Sequence, residues 1–192
     1  MYKKQVKLQR IICLALLIIS AIIFIYSLGI MTDLYDSLYS TYRRGKTSIE
    51  GAEVYMDMQG FNKSFTLASI GMILLSALLF VTNTASRRRY YIGNYCAIGL
   101  FSIASIAMIV WAHGQIETFK AQWLTIDFAA LADHAVKRKT LYTESTFWFD
   151  IHYVIFGLLL IGTVLLIANA IWKCKLMKEE QALIAQGKEA AA

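Results

Sequence analysis

Four long stretches of the sequence, residues 11–30, 64–83, 91–112 and 151–172, contain no Asp, Glu, Lys or Arg. Each has at least 20 residues, and about 20 residues of α-helix rise about 30 Å, the thickness of the hydrocarbon core of a bilayer. Apolar runs of about 10–14 residues also form buried helices in soluble proteins, but these stretches are too long for that assignment. They predict an all-α integral membrane protein, a four-helix bundle that crosses the bilayer four times.

The composition agrees with this fold class. Apolar residues make up 58% of the 192 residues, against roughly 45–50% in soluble domains. The length fits one membrane domain that covers residues 1–192. The chain has no proline, so proline kinks no helix, and we expect straight helices.

The positions of the basic residues predict the orientation. The N-terminus, the short link between the second and third stretches and the tail at 173–192 carry eleven basic and three acidic residues. The long segments 31–63 and 113–150 carry eight basic and ten acidic residues. Because basic residues concentrate on the cytoplasmic side, both termini are predicted to be cytoplasmic and both long segments to lie outside. The net charge of +6 then reflects topology and contact with membrane lipids, and we expect no nucleic acid partner.

The first outer segment begins with a helical stripe that includes Leu34, Leu38 and Tyr42. This spacing predicts that the first helix continues beyond the membrane as far as Gly45. The sequence Thr-Ser-Ile-Glu at 47–50 matches a capping box and predicts that a new helix begins there.

The second outer segment contains another helical stripe. Thr125 is its predicted N-cap, and the basic residues at 137–139 suit the C-terminal end of its dipole. The stripe consists of Leu124, Phe128, Leu131 and Ala135. Together the two outer segments predict a small helical extracellular cap.

The cap and its surroundings are rich in aromatic residues. They are expected to form an interfacial belt and a small core. An alternative is a docking surface for a partner protein, because Tyr and Trp are common interface anchors; a platform for stacking carbohydrate is a third possibility. The aromatic residues predicted to contact a partner are Tyr35, Tyr39, Trp123, Phe128 and Trp148.

The third stretch contains a step of two small residues, Gly93 and Ala97. Small residues four apart allow another helix to approach closely in a membrane. The step predicts a helix contact, either within the bundle or with the helix of a partner.

One group of residues has the chemistry of metal ligands. His113 precedes Glu117 by four residues, and Asp150 and His152 open the fourth stretch. Because the third and fourth stretches are antiparallel neighbours in sequence, the two pairs are expected at similar depth, where they offer ligands for zinc or another divalent ion. We nevertheless expect the two histidine rings to lie more than about 8 Å apart or to face lipid headgroups, and one ion cannot bridge rings that far apart.

Other chemistry is absent from the sequence. The three cysteines, Cys13, Cys96 and Cys174, lie near the predicted cytoplasmic ends, which excludes an outward-facing Cys-x-x-Cys oxidoreductase. Without charged residues in the four stretches, a proton relay or voltage sensor is not expected. The sequence therefore predicts a protein that is not an enzyme and has no cofactor.

The link between the second and third stretches reads TNTASRRRYYIGNY at residues 82–95. This segment resembles one in uncharacterised four-span membrane proteins of Gram-positive bacteria that accompany carbohydrate ABC transporters. The resemblance implies a bacterial plasma-membrane protein with other membrane subunits as partners, possibly transporter permeases, and favours an accessory or scaffold subunit of a transporter.

Two alternatives to the accessory role stay open. One is a homo-oligomeric channel lined by Ser76, Ser102 and Ser105. The other is an outward-facing metal-binding protein that uses the histidines and carboxylates described above.

Overall fold

The computed structural model describes residues 2–32, 38–43, 46–84, 91–141 and 143–189. These residues form five α-helices and one antiparallel pair of two-residue strands, in which Tyr42 lies opposite Thr47. The elements in chain order are α1 (Tyr2–Thr32), β1 (Tyr42–Arg43), β2 (Lys46–Thr47), α2 (Val54–Thr84), α3 (Tyr91–Trp123), α4 (Phe128–Arg138) and α5 (Phe147–Glu189). The prediction of a helical fold is confirmed.

Four of these helices are long and apolar enough to cross a membrane, and each contains one of the charge-free stretches. The candidate spans are Lys3–Ile30, Val54–Asn83, Ile92–Trp123 and Phe147–Gln186. α1 packs against α2 and α5, and α3 packs against the same two helices, so the four form a closed ring. The protein is therefore a bundle of four long helices, each of which could span a membrane, and this suggests a multi-pass membrane protein.

The outer surface of the bundle is apolar, as the membrane class requires. Large aliphatic side chains point away from the core along every long helix, among them Ile25, Leu74, Ile103 and Val164. A soluble protein rarely exposes so continuous an apolar surface. The core between the helices holds Leu16, Phe65, Phe101 and Leu159, which are fully buried.

The two ends of the bundle differ. The terminus end contains the start of α1, the end of α2 and the start of α3. The cap end contains the described residues between α1 and α2 and those between α3 and α5, including α4. The two segments touch, because the amide of Asp127 donates to the carbonyl of Glu50.

The first segment of the cap departs from its prediction. Residues 33–37 and 44–45, which include Tyr35 and Gly45, lie outside the described residues. A helix that continues to Gly45 is wrong, because Tyr42–Arg43 is a strand. A helix that begins at the 47–50 capping box is also wrong, because α2 begins at Val54.

Local contacts explain that shift. The hydroxyl of Thr47 donates to the carboxylate of Glu53 over 2.5 Å, instead of capping a helix that begins at residue 48. Gly51 has a φ of +81°, in the left-handed region, and lies against the backbone of Ile126. A side chain at position 51 would be strained there and would meet that backbone, so glycine allows the two cap segments to touch.

The second cap segment forms the predicted helix with a different start. Asp127, not Thr125, is the N-cap of α4, and its side chain accepts from the amide of Ala130. Lys137 and Arg138 occupy the last turn as predicted. Leu131 and Ala135 of the predicted stripe are buried, whereas Leu124 is exposed.

The start of α5 is fixed against α1. The hydroxyl of Tyr26 donates to the carbonyl of Trp148 over 2.9 Å, and the two rings stack with centroids 6.5 Å apart. The indole of Trp148 also covers Gly29, where a Cβ would lie 2.4 Å from the ring. These contacts set the position of the first turns of α5.

Substitution of Gly29 by alanine tests this packing. We expect Gly29→Ala to lower stability by about 1–3 kcal/mol, because the added methyl group displaces Trp148. Gly99→Ala is the matched control, since a Cβ at that helical position has nothing within 4 Å. Thermal unfolding in detergent measures the difference, and equal midpoints for the two variants would contradict the contact.

Candidate metal centre

The cap ends of α3 and α5 bring two histidines and one carboxylate together. α3 continues through Gly114 to Trp123, so His113 and Glu117 share one helical face. His152 lies in the second turn of α5, on the neighbouring helix. The three residues offer ligand atoms that all lie within 4.8 Å of one another, and we name them the His–Glu–His site.

The histidine rings are much closer than the sequence led us to expect. Their centroids are 5.1 Å apart, and Nδ1 of His113 lies 2.8 Å from Nε2 of His152. The expectation of more than about 8 Å was wrong. The physical reason is that α3 and α5 pack directly against each other, with His152 on the buried side of α5.

The backbone fixes the orientation of His152. Its ring is fully buried, and its Nδ1 forms a hydrogen bond with the carbonyl of Phe149. Because a carbonyl only accepts, Nδ1 carries the proton, and in the neutral ring the lone pair is on Nε2. That Nε2 accepts a hydrogen bond from Nδ1 of His113, and the Nε2 atom lies 3.8 Å from Oε1 of Glu117. A bound ion would replace the hydrogen bond between the two rings, with the proton of His113 on its Nε2.

Glu117 is also held in place. The hydroxyl of Tyr153 donates to its Oε1 over 2.8 Å. The Tyr153 ring lies beside both histidine rings, with centroid distances of 4.2 Å to His152 and 5.6 Å to His113. Tyr153 therefore covers one side of the site and orients its carboxylate.

Asp150, the fourth predicted ligand, is engaged elsewhere. Its Oδ1 accepts from the ammonium of Lys120 over 2.5 Å, and its Oδ2 accepts from the hydroxyl of Thr146 over 2.6 Å. The described residues that form the site are His113, Glu117 and His152, without Asp150. The structure thus brings together three of the four predicted ligands, and Asp150 forms an ion pair with Lys120 instead.

The ligand set determines which ions suit the site. Two imidazoles and one carboxylate suit zinc and similar first-row divalent ions, whereas magnesium and calcium prefer oxygen ligands. Two metal–nitrogen bonds of about 2.0–2.1 Å at a tetrahedral angle place the nitrogens about 3.3 Å apart. The histidine nitrogens, at 2.8 Å, therefore need to separate by only about half an ångström.

Most aromatic residues predicted to contact a partner belong to the cap itself. Trp123 is fully buried between the rings of Phe128 and Phe149, so it cannot meet a partner in this conformation. Phe128 and Trp148 are half-buried. Tyr39 is exposed and packs beside Tyr55.

The two residues of the small-residue step of α3 differ in their surroundings. Ala97 is buried within the bundle, whereas a Cβ on Gly93 would meet open space. The serines proposed to line a channel, Ser76, Ser102 and Ser105, are all buried inside the bundle. They therefore do not lie on the outer faces where subunits of an oligomer would meet.

A second polar cluster at the terminus end was missed by the sequence reasoning. Gln5 donates to Asn169 over 2.7 Å and to Gln9 over 3.0 Å. Asn94 accepts from Gln9 over 2.9 Å and from Lys173 over 3.0 Å. All five side chains are at least nine-tenths buried, and we name them the terminus-end polar layer.

A sequence signal for this layer exists. Gln5 and Gln9 are four residues apart, as are Asn169 and Lys173, so each pair shares a helical face. Asn94 stands in the third charge-free stretch. Lys173 directly follows the fourth charge-free stretch and is nevertheless buried in the bundle.

Comparison of the chain with protein-family models, with curated proteins and with solved structures finds no match.

Removal of Asn94 tests the polar layer. Asn94→Leu deprives Gln9 and Lys173 of a shared acceptor, and a buried polar group without its partner costs about 1–3 kcal/mol. We expect a loss of stability of at least that size. Lys175→Met, at an exposed position of the same helix as Lys173, is the control. Denaturant or thermal unfolding in detergent gives the comparison, and an unchanged midpoint for Asn94→Leu would show that the layer contributes nothing.

Proposed function

We propose that this chain is a plasma-membrane protein that binds a zinc-class divalent ion through His113, Glu117 and His152. The observation that carries the proposal is the hydrogen bond from Nδ1 of His152 to the carbonyl of Phe149. Histidines that bind metals commonly donate their other ring N–H in this way, which fixes the tautomer and the direction of the lone pair.

The carboxylate of Glu117 is also oriented by a hydrogen bond from outside the ligand set. Tyr153 donates to Glu117, and ligating carboxylates are commonly held by such outer hydrogen bonds. Three potential ligands from two helices thus converge, and two of them are oriented by groups outside the set. An accidental contact between polar side chains at a helix end does not require either supporting bond.

The charge distribution supports an outward-facing site. Basic residues are concentrated in the termini and in the short link, and the positive-inside rule assigns that side to the cytoplasm. The cap then faces outward, and the His–Glu–His site lies near the outer surface of the membrane. The exposed aromatic side chains Trp111, Phe147 and Tyr153 suit an interfacial belt at that depth.

A partner-holding role is the second candidate. Gly93 and Gly99 lie on α3 with open space around them, which allows the close approach of a helix from another subunit. This surface supports the accessory or scaffold role in a bacterial transporter complex that the resemblance implies. Metal binding and a partner-holding role are compatible, because the metal site is at the cap end of α3 and these glycines lie nearer the other end.

Substitutions in the site test metal binding directly. His152→Ala and Glu117→Gln should each lower zinc affinity by more than the roughly 10–100-fold that loss of a supporting hydrogen bond costs. Tyr153→Phe should fall within that 10–100-fold range, because it removes only the bond to Glu117. Competition with a chromophoric chelator on purified protein in detergent measures all three.

Asp150→Asn is the matched control for these variants. It changes a carboxylate that is bound to Lys120 and Thr146, so zinc affinity should change by no more than about 0.5 kcal/mol. Equal zinc affinity in His152→Ala and the unmodified protein would reject the site. A large loss in Asp150→Asn would instead restore the ligand set predicted from the sequence.

The partner-holding role makes a separate prediction. Purification in mild detergent should yield a second protein in stoichiometric amount, and Gly99→Leu should abolish its recovery because the side chain blocks close helix approach. Gly60→Leu, on α2 with equally open space, should have no effect. Repeated recovery of the unmodified chain as a lone monomer would count against the role.

A further inference from the structure

The His–Glu–His site provides three protein ligands for an ion that prefers four. No other His, Cys, Asp or Glu in the described parts of the chain joins the group. Asp150 is nearby in sequence, but Lys120 and Thr146 occupy its two oxygens. Zinc sites with three protein ligands keep their fourth position for water or a substrate. Because Asp150 is paired with Lys120 and Thr146, it does not fill the fourth coordination position of a bound ion. That position is therefore left for a ligand from outside the protein.

That position opens toward the surface of the bundle. His152 closes the inner side, because its ring is fully buried. His113 is exposed, and the side chain of Glu117 is 37% exposed. Tyr153, beside both histidine rings, is 52% exposed. A ligand can approach from this side without disturbing the core.

The charge of the loaded site favours an anion. A divalent ion bound by one carboxylate and two neutral imidazoles carries a net charge of +1. The nearby pair of Lys120 and Asp150 adds no net charge. Because the site is partly buried, the attraction of this charge for an anion is stronger than in bulk water. An anion would fill the fourth coordination position and neutralise the charge.

Lys120 adds a second positive group that an anion could contact beside the metal ion. It lies seven residues after His113 and three after Glu117 on the same helix, so all three share one face. Its ammonium has three N–H donors, and the hydrogen bond to Asp150 uses one. An anion with several oxygens can thus bind the metal with one oxygen and approach this ammonium with another.

The position of the site relative to the lipid headgroups indicates which class of anion it meets. Trp111 and Tyr153, which are exposed and flank the site in sequence, are residue types that concentrate where headgroups meet hydrocarbon. Lipid phosphates lie in that layer.

We propose that the metal-loaded site binds a phosphate-class anion, either a lipid phosphate or free inorganic phosphate, as its external ligand. This inference depends on the metal site proposed above. It assigns His113, Glu117 and His152 to the metal and Lys120 to the anion.

Cobalt substitution tests the two proposals separately. Tetrahedral Co²⁺ absorbs strongly in the visible region, and its bands respond to exchange of one ligand. The full-length protein, purified in a maltoside detergent without phosphate, is first titrated with Co²⁺. Absence of tetrahedral bands would overturn the metal site itself. If the bands form, inorganic phosphate is added, and we expect them to shift in a saturable way.

Lipid composition then distinguishes the two sources of phosphate. Co²⁺-loaded protein is placed in nanodiscs of phosphatidylglycerol or of a phosphate-free glycolipid. A shift in phosphatidylglycerol alone identifies the headgroup as ligand, and a shift only on addition of inorganic phosphate identifies the free anion. Both results support the shared phosphate chemistry. Tetrahedral bands that stay unchanged in every arm would overturn the anion site while leaving the metal site intact.

A double variant tests the assignment of Lys120. Lys120→Gln with Asp150→Asn removes the ion pair without leaving an unpaired charge. We expect the Co²⁺ bands to remain and the apparent phosphate affinity to fall about tenfold, which corresponds to 1.4 kcal/mol. The matched control is Asp133→Asn with Lys137→Gln, an exposed pair four residues apart on α4, and its phosphate affinity should not change. Equal affinity in the two double variants would overturn the role of Lys120.

Discussion

Backbone hydrogen bonding is the constraint on which the rest of this structure depends. A segment that crosses hydrocarbon has to satisfy its own N–H and C=O groups, which leaves the α-helix as the solution for a single chain of four spans. The four long helices meet that requirement, and their side chains are then divided between an apolar outer surface and a packed core. Polar side-chain chemistry is consequently concentrated at the two ends, where the His–Glu–His site and the terminus-end polar layer lie.

The two ends solve different physical problems. At the terminus end, carboxamides and one ammonium form hydrogen bonds with one another across α1, α3 and α5, and burial is nearly complete. At the cap end, the polar groups are graded from the buried His152 to the exposed His113. A network of buried side-chain hydrogen bonds suits the joining of helices, whereas two imidazoles and a carboxylate that meet at a partly exposed point suit a ligand.

The helical class and the four long apolar helices followed from the sequence because charge-free stretches of at least 20 residues are hard to accommodate otherwise. The pairing of His113 with Glu117 on one face of α3 was predictable from their four-residue spacing, which depends only on helix geometry. The closeness of the two histidines was not predictable, because it depends on how α3 and α5 rotate against each other. The redirection of Asp150 to Lys120, and the choice of Asp127 over Thr125 as N-cap, likewise depend on contacts that spacing along the chain does not encode.

The terminus-end polar layer also bears on the order of assembly. Gln5 on the first helix bonds to Asn169 on the last, 164 residues later, so the bond cannot form until nearly the whole chain has been synthesised. Until α5 is present, Gln5 lacks its acceptor Asn169 and Asn94 lacks its donor Lys173. Closure of the ring of helices is therefore expected to be a late step of biogenesis, and a chain truncated before residue 169 lacks the contact that locks α1 to α5.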